Sequence, residues 1–326
     1  MLKAEYTKRG PNPVDVIEAV EATTPELGEG QVLLELLASP INPSDVLTLT
    51  GQYGILPPLP AIGGNEGVAK VVEAGPGVTH LPVGQTVLLP VGIGTWQTHI
   101  VAPAAKLVPL PNDADPIQLS MVTINPPTAS LMLSEFVDLK EGDWVIQNAA
   151  NSGVGNYLIK LAKMRGLRTV NIVRRESLVQ PLLDQGADVV LVDGDDLHER
   201  VAQATEKANI QLGIDAIGGP ATARLGACLG NDATLVNYGM MSGVPCELPA
   251  SLMVFKGITV KGFWLAKWFE RATREEQMAL YGELTKLIAT GQLTTPVDST
   301  YSVKDIKQAI GAAAQGERNG KIIVTA

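Results

Sequence analysis

From Asp143 to Gly239 the chain alternates apolar, strand-like runs with amphipathic, helix-like stretches, joined by short connections. The runs DWVIQNA, RTVNIV, DVVLV and TLVNYG predict strands, and the stretches between them carry apolar residues at helical spacing. Regular strand–helix alternation is typical of parallel strands joined by right-handed crossovers. We therefore expect an α/β fold whose second domain, residues 124–294, contains a doubly wound parallel sheet.

The first 123 residues show a different pattern. Segments such as QVLLELLA, EGVAKVVEAG and TWQTHIVAP predict short strands separated by turns that contain Gly and Pro. Short, closely spaced strands are typical of a small barrel or sandwich. The tail GKIIVTA is again strand-like, so we expect a β-barrel domain over residues 1–123 that is completed by residues 295–326.

Charge and composition argue against two kinds of binding partner. The net charge of −9 disfavours nucleic acid as a partner, because phosphate repels a negative surface. No run approaches the roughly 20 apolar residues of a membrane span, so a membrane partner is not expected either. The first ten residues show no apolar or Arg-rich leader. We predict a cytoplasmic protein, although a mature organellar protein would have the same features.

A turn that suits a pyrophosphate follows the first strand of the α/β domain, in the stretch QNAANSGVGNYLIKLAK. Gly153 and Gly155 allow the backbone to approach a phosphate, and the following helix N-terminus offers unpaired N–H groups. The full G-x-G-x-x-G motif is absent, because Ala150 and Ser152 occupy its first two glycine positions. The order of strand, turn and helix nevertheless favours a dinucleotide cofactor.

The end of the second strand, NIVRRES, indicates which dinucleotide is bound. An NAD-binding site would have Asp or Glu about 20 residues beyond the glycines, where this chain has Arg174 and Arg175. A guanidinium suits the 2′-phosphate of NADPH better than the bare diol of NADH. We therefore predict NADPH as the cofactor, and a pair of solvated surface arginines is the alternative.

A β-rich domain followed by a nucleotide-binding domain resembles the layout of medium-chain alcohol dehydrogenases. Their zinc-dependent members hold the catalytic metal with a Cys and a His. The matching stretches here are INPSD and GNEG, with Asn42 and Asn65 at those places. Carboxamides are poor zinc ligands, and His80, His99 and His198 show no ligand spacing. We expect no metal site.

Longer stretches identify the relationship more closely. They are INPSD, GQYGILPPLPAIGGNEGV, TINPPTA, IQNAANSGVG, NIVRRE, NYGMMS, FKGITVKGFWLAKW and GKIIV. Over its whole length the chain resembles the zinc-free branch of the medium-chain dehydrogenase/reductase superfamily. It is most similar to the trans-2-enoyl thioester reductases of the mitochondrial fatty-acid-synthesis type. The resemblance implies a GroES-like barrel, a Rossmann domain that binds NADPH, and an enoyl thioester substrate carried by CoA or acyl carrier protein.

Tyr53 matches the tyrosine that such reductases, by this resemblance, use as the proton donor. Hydride is added to the β-carbon of the enoyl thioester, and a phenol can then protonate the α-carbon of the resulting enolate. Pro57, Pro58 and Pro60 each fix φ and remove a backbone donor, so the segment is expected to be a shaped loop. The alternative is a tyrosine that only packs in a surface loop.

The resemblance also implies a set of cofactor contacts. They are Asn125, Asn151, Ser152, Gly153, Val154, Gly155, Arg174, Arg175, Tyr238, Gly239, Met240, Met241, Phe263, Trp264, Leu265 and Lys321. Several of these residues also have a simpler structural interpretation. Asn125 could cap a helix, residues 238–241 could form a strand-end turn, residues 263–265 could lie at a dimer interface, and Lys321 could be surface charge.

We predict from this resemblance an NADPH-dependent enoyl thioester reductase. A zinc-free quinone or enal reductase that would not need Tyr53 is the alternative, and a non-catalytic NADPH-binding protein is a third possibility. The fold family also predicts a homodimer through edge strands of the nucleotide-binding domains, near ITVKGFW. The carrier, the acyl chain length and the pathway are not determined by the sequence.

Overall fold

The computed structural model describes residues 1–315 and 318–326. The chain forms two compact units. The first consists of Met1–Ile124 and Glu283–Ala326, and the second of Asn125–Gly282. In the part of the chain that is described, no helix is long and apolar enough to cross a bilayer.

The first unit opens with short strands and helices. In chain order they are β1 (Leu2–Tyr6), β2 (Ile17–Glu21), β3 (Gln31–Pro40), α1 (Pro43–Thr50), β4 (Ala61–Ile62), β5 (Val68–Ala74), β6 (Thr86–Leu88), β7 (His99–Pro103), β8 (Val108–Pro109) and α2 (Pro116–Leu119). Most of these strands are short because glycines and prolines interrupt the apolar runs.

The second unit alternates helices and strands, as predicted. They are α3 (Asn125–Met132), β9 (Trp144–Gln147), α4 (Gly153–Met164), β10 (Arg168–Val173), α5 (Val179–Asp184), β11 (Val189–Val192), α6 (Leu197–Ala204), β12 (Leu212–Asp215), α7 (Pro220–Ala227), β13 (Thr234–Asn237), α8 (Ala250–Lys256), β14 (Thr259–Gly262) and α9 (Leu265–Arg271). These strands are parallel, in the order β11-β10-β9-β12-β13-β14. This is the strand order of the Rossmann fold, so the predicted doubly wound sheet is confirmed.

The apolar periodicity explains how this sheet is covered. β9 lies in its middle, and Val145 and Ile146 are fully buried. In α4 the predicted apolar face is buried as well, at Leu158, Leu161 and Ala162. Each fully buried leucine contributes roughly 1.5–3 kcal/mol relative to an exposed one. Burial on one face of each helix therefore holds the strand ends, and the loops that follow them, in place.

The end of the chain returns to the first unit. The remaining elements are α10 (Arg274–Ala289), β15 (Val297–Ser302), α11 (Ile306–Ala314) and β16 (Lys321–Thr325). β16 lies between β15 and β3 in a seven-stranded sheet, and β2, β1 and β4 form a second sheet. The contact units divide after Gly282, within α10, whose second half buries Leu284 and Ile288. The domain boundary expected between residues 294 and 295 stays a prediction.

Candidate active site

The predicted pyrophosphate turn lies at the carboxyl end of β9. Ser152 caps α4, because its Oγ accepts a hydrogen bond from the amide of Gly155 at 3.1 Å. A Cβ on Gly155 would lie 2.4 Å from the carbonyl oxygen of Ala150, so the close approach requires glycine. The first amides of α4 have no partner within the helix and can bind an anion. The structure brings together in this turn the predicted residues Asn151, Ser152, Gly153, Val154 and Gly155.

The two predicted arginines follow the end of β10. Arg174 is exposed and Arg175 is half-buried. The Nε atom of Arg175 is buried and has no hydrogen-bond partner among the described residues. A buried donor without a partner is costly, and a bound anion would satisfy it. The residues at this strand end therefore fit a phosphate group such as the 2′-phosphate of NADPH.

The segment Tyr238–Met241 follows β13 and contacts the same turn. The hydroxyl of Tyr238 is hydrogen-bonded to that of Ser152, and burial raises the pKa of Tyr238 above its ordinary value. A Cβ on Gly239 would lie 2.6 Å from the carbonyl oxygen of Ala216, so this approach also requires glycine. The two methionines that follow are 54% and 57% exposed. The segment thus combines a fixed backbone with apolar side chains open to a ligand.

A buried carboxylate, Asp215, holds the ends of three strands, although it was not among the predicted site residues. Its Oδ1 accepts hydrogen bonds from Asn148 Nδ2 at 2.6 Å and from the backbone amides of residues 217–218 at 2.9 and 3.1 Å. Its Oδ2 accepts from Thr222 Oγ1 at 2.6 Å and from Asn237 Nδ2 at 3.2 Å. Asn148 follows β9 and Asn237 ends β13, so one carboxylate ties together the loops described above. A charged residue at the end of the apolar run IQLGIDAIG was the signal.

The remaining predicted cofactor contacts of the second unit lie at the ends of elements. Phe263 follows β14 and packs edge to face on Phe136, with 6.0 Å between ring centroids and an interplanar angle of 82°. Trp264 directly precedes α9 and Leu265 is its first residue, and both are half-buried, like Phe263. Asn125 is buried and is the first residue of α3, directly ahead of two prolines.

Tyr53 lies in the loop that follows α1. Gly51 ends the helix with a left-handed φ of 79°, and residues 52–60 form neither helix nor strand, as predicted. The guanidinium of Arg9 donates a hydrogen bond to the carbonyl oxygen of Pro57. The loop is therefore held near its middle by a charged donor as well as by its prolines. Tyr53 itself is half-buried.

The stretches INPSD and GNEG meet in a buried polar network of the first unit. The Nδ2 of Asn42 donates to Glu66 Oε1 at 2.7 Å, and its Oδ1 accepts a hydrogen bond from the Nζ of Lys321. Asp45 accepts from the backbone amide of Asn42 at 2.7 Å and from Asn65 Nδ2 at 2.8 Å. The two amides at the places of zinc ligands in other dehydrogenases therefore orient two carboxylates and one ammonium group.

Burial shifts the pKa of all three charged groups in this network. It raises the pKa of Asp45 to about 6 and that of Glu66 to about 7, and it lowers the pKa of Lys321 to about 8. The positive charge of Lys321 opposes the shift of both carboxyls. Lys321 is 5% exposed, so its interpretation as surface charge is wrong, while its contact with a cofactor stays a prediction. The expected lack of a metal also stays a prediction; no group of three or more His, Cys, Asp or Glu in the described residues could hold one.

Comparisons with known proteins cover the whole chain. Residues 28–112 match the alcohol dehydrogenase GroES-like domain, and residues 153–283 match the zinc-binding dehydrogenase family. The chain is 36% identical over 320 residues to the mitochondrial enoyl-[acyl-carrier-protein] reductase of Homo sapiens, an alignment that covers 96% of this chain and 86% of the relative.

The similar solved structures include two that align with 100% of this chain. One is a Bacillus thuringiensis protein assigned as an NADPH:quinone reductase, with 29% identity, 98% of its chain covered and a TM-score of 0.89. The other is the mitochondrial 2-enoyl thioester reductase heterodimer of Candida tropicalis, with 25% identity, 99% covered and a TM-score of 0.88. The predicted GroES-like unit and Rossmann unit are therefore confirmed as a fold class.

The predicted cytoplasmic location is wrong. The relatives from Homo sapiens, Rattus norvegicus, Xenopus tropicalis and Caenorhabditis elegans are all mitochondrial enoyl-[acyl-carrier-protein] reductases. They point to the mitochondrion instead. The prediction rested on composition and on the first ten residues, which do not distinguish a cytoplasmic chain from a mature organellar one.

Proposed function

This chain belongs to the family of enoyl-[acyl-carrier-protein] reductases in the medium-chain dehydrogenase/reductase superfamily, and we propose from this that Tyr53 is the proton donor of its reaction. The protein is an NADPH-dependent oxidoreductase that reduces the 2,3 double bond of trans-2-enoyl thioesters. The observation that carries this function is the identity to the human reductase along 96% of the chain.

The residues present suit NADPH, which when bound supplies the hydride for the β-carbon of the substrate. In our proposal the turn at residues 151–155 holds the pyrophosphate through backbone amides. Arg174 and Arg175 hold the 2′-phosphate, which would satisfy the buried Nε of Arg175.

Residues 238–241 and 263–265 hold the nicotinamide half, and Asn125 and Lys321 are further proposed contacts.

The proton step is assigned to Tyr53 in this proposal. When the β-carbon gains a hydride, the electron pair of the C=C bond moves onto the thioester as an enolate. The phenol of Tyr53 then donates its proton to the α-carbon, which forms the new C–H bond, and solvent reprotonates the tyrosinate. The hydrogen bond from Arg9 to Pro57 supports this role, because a proton donor is effective only when it is held at a fixed place.

The experiment that tests this role follows NADPH absorbance with crotonyl-CoA for the wild type and Tyr53→Phe. We expect kcat to fall by about 10²–10⁴-fold in Tyr53→Phe, while the Kd for NADPH stays unchanged. The matched control is Tyr301→Phe, which removes the hydroxyl of a half-buried tyrosine in β15 of the same unit. A Tyr53→Phe enzyme with the kcat of the wild type would show that another group donates the proton.

A quinone or enal reductase is the second candidate, and the likeness to the Bacillus thuringiensis protein favours it. An ortho-quinone is therefore added as an alternative acceptor in the same assay. Turnover of the quinone alone, equal in wild type and Tyr53→Phe, would replace the proposed function with this one. NADPH binding without turnover of any acceptor would indicate a non-catalytic protein.

We also propose that a second copy of this chain covers the edge of the parallel sheet. β14 is the outer strand, and all of its residues are exposed. Val254 and Phe255, near the end of α8, are 72% and 83% exposed. An open edge beside exposed apolar side chains is a surface that favours association, and the related Candida tropicalis reductase is itself a dimer.

Light scattering tests the dimer. We expect twice the monomer mass of 34.4 kDa for the wild type and a shift toward monomer for Phe255→Ser. Met278→Ser is the control, because it removes an apolar side chain that is 64% exposed on α10. Particles of 34.4 kDa alone in the wild type would contradict the proposal.

The carrier of the acyl group is proposed to be acyl carrier protein, from the name that the relatives share. The measurement is kcat/KM for a crotonyl group on CoA and on acyl carrier protein. A higher kcat/KM for the carrier-protein thioester supports the proposal. Equal kcat/KM values for the two carriers would show that the enzyme recognises only the acyl thioester.

A further inference from the structure

Glu66, which was not among the predicted site residues, is fully buried, and both of its carboxylate oxygens accept hydrogen bonds. Oε1 accepts the hydrogen bond from Asn42 described above. Oε2 accepts hydrogen bonds from the backbone amides of Thr123 and Ile124, at 3.1 and 3.0 Å. These are the last two residues before Asn125, with which the second unit begins.

We propose that Glu66 is a positioning residue for cofactor binding, because it fixes the backbone of Thr123 and Ile124 and thereby that of Asn125. This inference rests on the proposed function, in which Asn125 contacts NADPH. On its other side Asn125 precedes two prolines, the first of which restricts its backbone. A contact residue whose backbone is fixed from both sides loses less conformational freedom when the cofactor binds.

The chemistry of the network explains why a carboxylate is needed at this place. Three donors converge on Glu66, and a carboxylate can accept all of them. A neutral Gln has one acceptor oxygen and adds two N–H donors, so either Asn42 or the two backbone amides would face a donor. Each buried amide left without a partner destabilises the backbone at this place.

Lys321 and Asp45 fix the orientation of Asn42. The Nζ of Lys321 occupies the Oδ1 of Asn42, which leaves the Nδ2 of Asn42 to point at Glu66. Asp45 fixes the backbone amide of the same asparagine. The charge of Lys321 also favours the ionised form of Glu66. The asparagine at a position that holds a zinc ligand in other dehydrogenases therefore has a defined task, which is to keep Glu66 directed at residues 123–124.

If Glu66 only stabilised the first unit, its replacement would leave the Kd for NADPH unchanged, whereas a positioning role requires the Kd to rise. The test compares Glu66→Gln with Glu73→Gln, which removes an exposed carboxyl from β5 of the same unit. Hydrogen–deuterium exchange reports on the amides of Thr123 and Ile124. The Kd for NADPH is measured by titration of the intrinsic fluorescence, without a thioester.

In Glu66→Gln we expect faster exchange of both amides and a Kd for NADPH that is raised by about tenfold. We also expect kcat at saturating NADPH to change less than the Kd, and Glu73→Gln to behave like the wild type. An unchanged Kd, with or without a lower Tm, would overturn the proposal and leave Glu66 as a stabilising residue alone. Slow exchange of both amides in Glu66→Gln would also overturn it.

A second variant keeps the test decisive if Glu66→Gln does not fold. Glu66→Asp retains the charge but is one methylene shorter, so it cannot reach both Asn42 and the two backbone amides. We expect it to raise the Kd for NADPH in the same direction, and an unchanged Kd would overturn the proposal. Because the exchange rates and the Kd for NADPH are measured without a thioester, a failure of enoyl reduction refutes the proposed function without altering these two results.

Discussion

Asn148 and Asp215 join the ends of two neighbouring parallel strands by a hydrogen bond of 2.6 Å between Asn148 Nδ2 and Asp215 Oδ1. The Oδ1 of Asn148 in turn accepts a hydrogen bond from the amide of Ala216, at 2.8 Å. The carboxyl ends of β9 and β12 are thus fixed by a closed pair of bonds. The two loops that continue from these ends carry the pyrophosphate turn and the residues packed against Gly239.

Replacement of Asp215 by Asn is therefore expected to weaken both the fold and cofactor binding. Asn has one acceptor oxygen in place of two, so at least one of the donors around Asp215 loses its partner. We expect unfolding in urea to show a loss of about 1–3 kcal/mol. The KM for NADPH should rise by about tenfold while kcat changes less. Asp113→Asn, at an exposed position, is the control, and equal effects of the two variants would contradict this prediction.

Gly155→Ala tests the close approach at the start of α4. The added Cβ would lie 2.4 Å from the carbonyl oxygen of Ala150, so the turn must move. We expect a loss of stability of about 1–3 kcal/mol and weak binding of NADPH, measured by thermal unfolding and by fluorescence titration. Gly282→Ala is the matched control in α10, where the Cβ meets nothing within 4 Å. The control should gain about 0.5–1 kcal/mol, because alanine favours a helix.

Arg174→Ala is expected to change the cofactor preference. If the guanidinium binds the 2′-phosphate, its loss should raise the KM for NADPH by about 10- to 100-fold and leave the KM for NADH almost unchanged. Arg175→Ala should act in the same direction. Arg274→Ala removes an exposed arginine at the start of α10 and controls for net charge. An equal increase of the KM for NADPH and the KM for NADH would show that Arg174 does not bind the 2′-phosphate.

The buried network should make the stability of the protein depend on pH. Burial raises the pKa of Glu66 from 4.5 to about 7, so the folded state binds more protons than the unfolded state within that interval. The free energy of unfolding should therefore decrease as the pH rises from 4.5 to about 7. Asp45 acts in the same direction, with a pKa raised from 3.8 to about 6. Lys321, which also faces Arg318, acts oppositely and adds stability as the pH rises from about 8 to 10.5.

Urea unfolding at several pH values measures this dependence. Relative to Glu66→Gln, the wild type should lose stability over the interval from 4.5 to about 7. Glu73→Gln gives the baseline for the loss of one exposed carboxyl. A constant difference between the wild type and Glu66→Gln across this interval would contradict the prediction.

The fold could be predicted because its main signals are local. The alternation of apolar runs in the second unit reflects the periods of strands and helices, and the order of the strands follows from short right-handed connections. The shaped loop at Tyr53 was equally local, since each proline restricts its own backbone. The division between the two units has no such local signal. Nothing in the composition of α10 indicates that its first and second halves belong to different units.

The buried networks could not be predicted for a physical reason. Asp215 and Asn148 are 67 positions apart in the chain, and Lys321 and Asn42 are 279 apart. A charged side chain in a sequence is ordinarily solvated, and its burial becomes favourable only when distant partners supply hydrogen bonds. The polar residues of these networks are visible in the sequence, in INPSD, GNEG and IDAIG. Which of them are partners is visible only in the folded chain.

The pairing of β16 with the end of β3 has a consequence for how the chain folds. The second unit is contiguous in sequence, whereas Ser39 and Pro40 of β3 pair with Ile323 and Val324 near the other end of the chain. Until β16 is in place, the first unit has an open strand end that can pair with other chains. A premature stop codon ahead of Lys321 would therefore leave this end of β3 unpaired and make the shortened chain prone to aggregation.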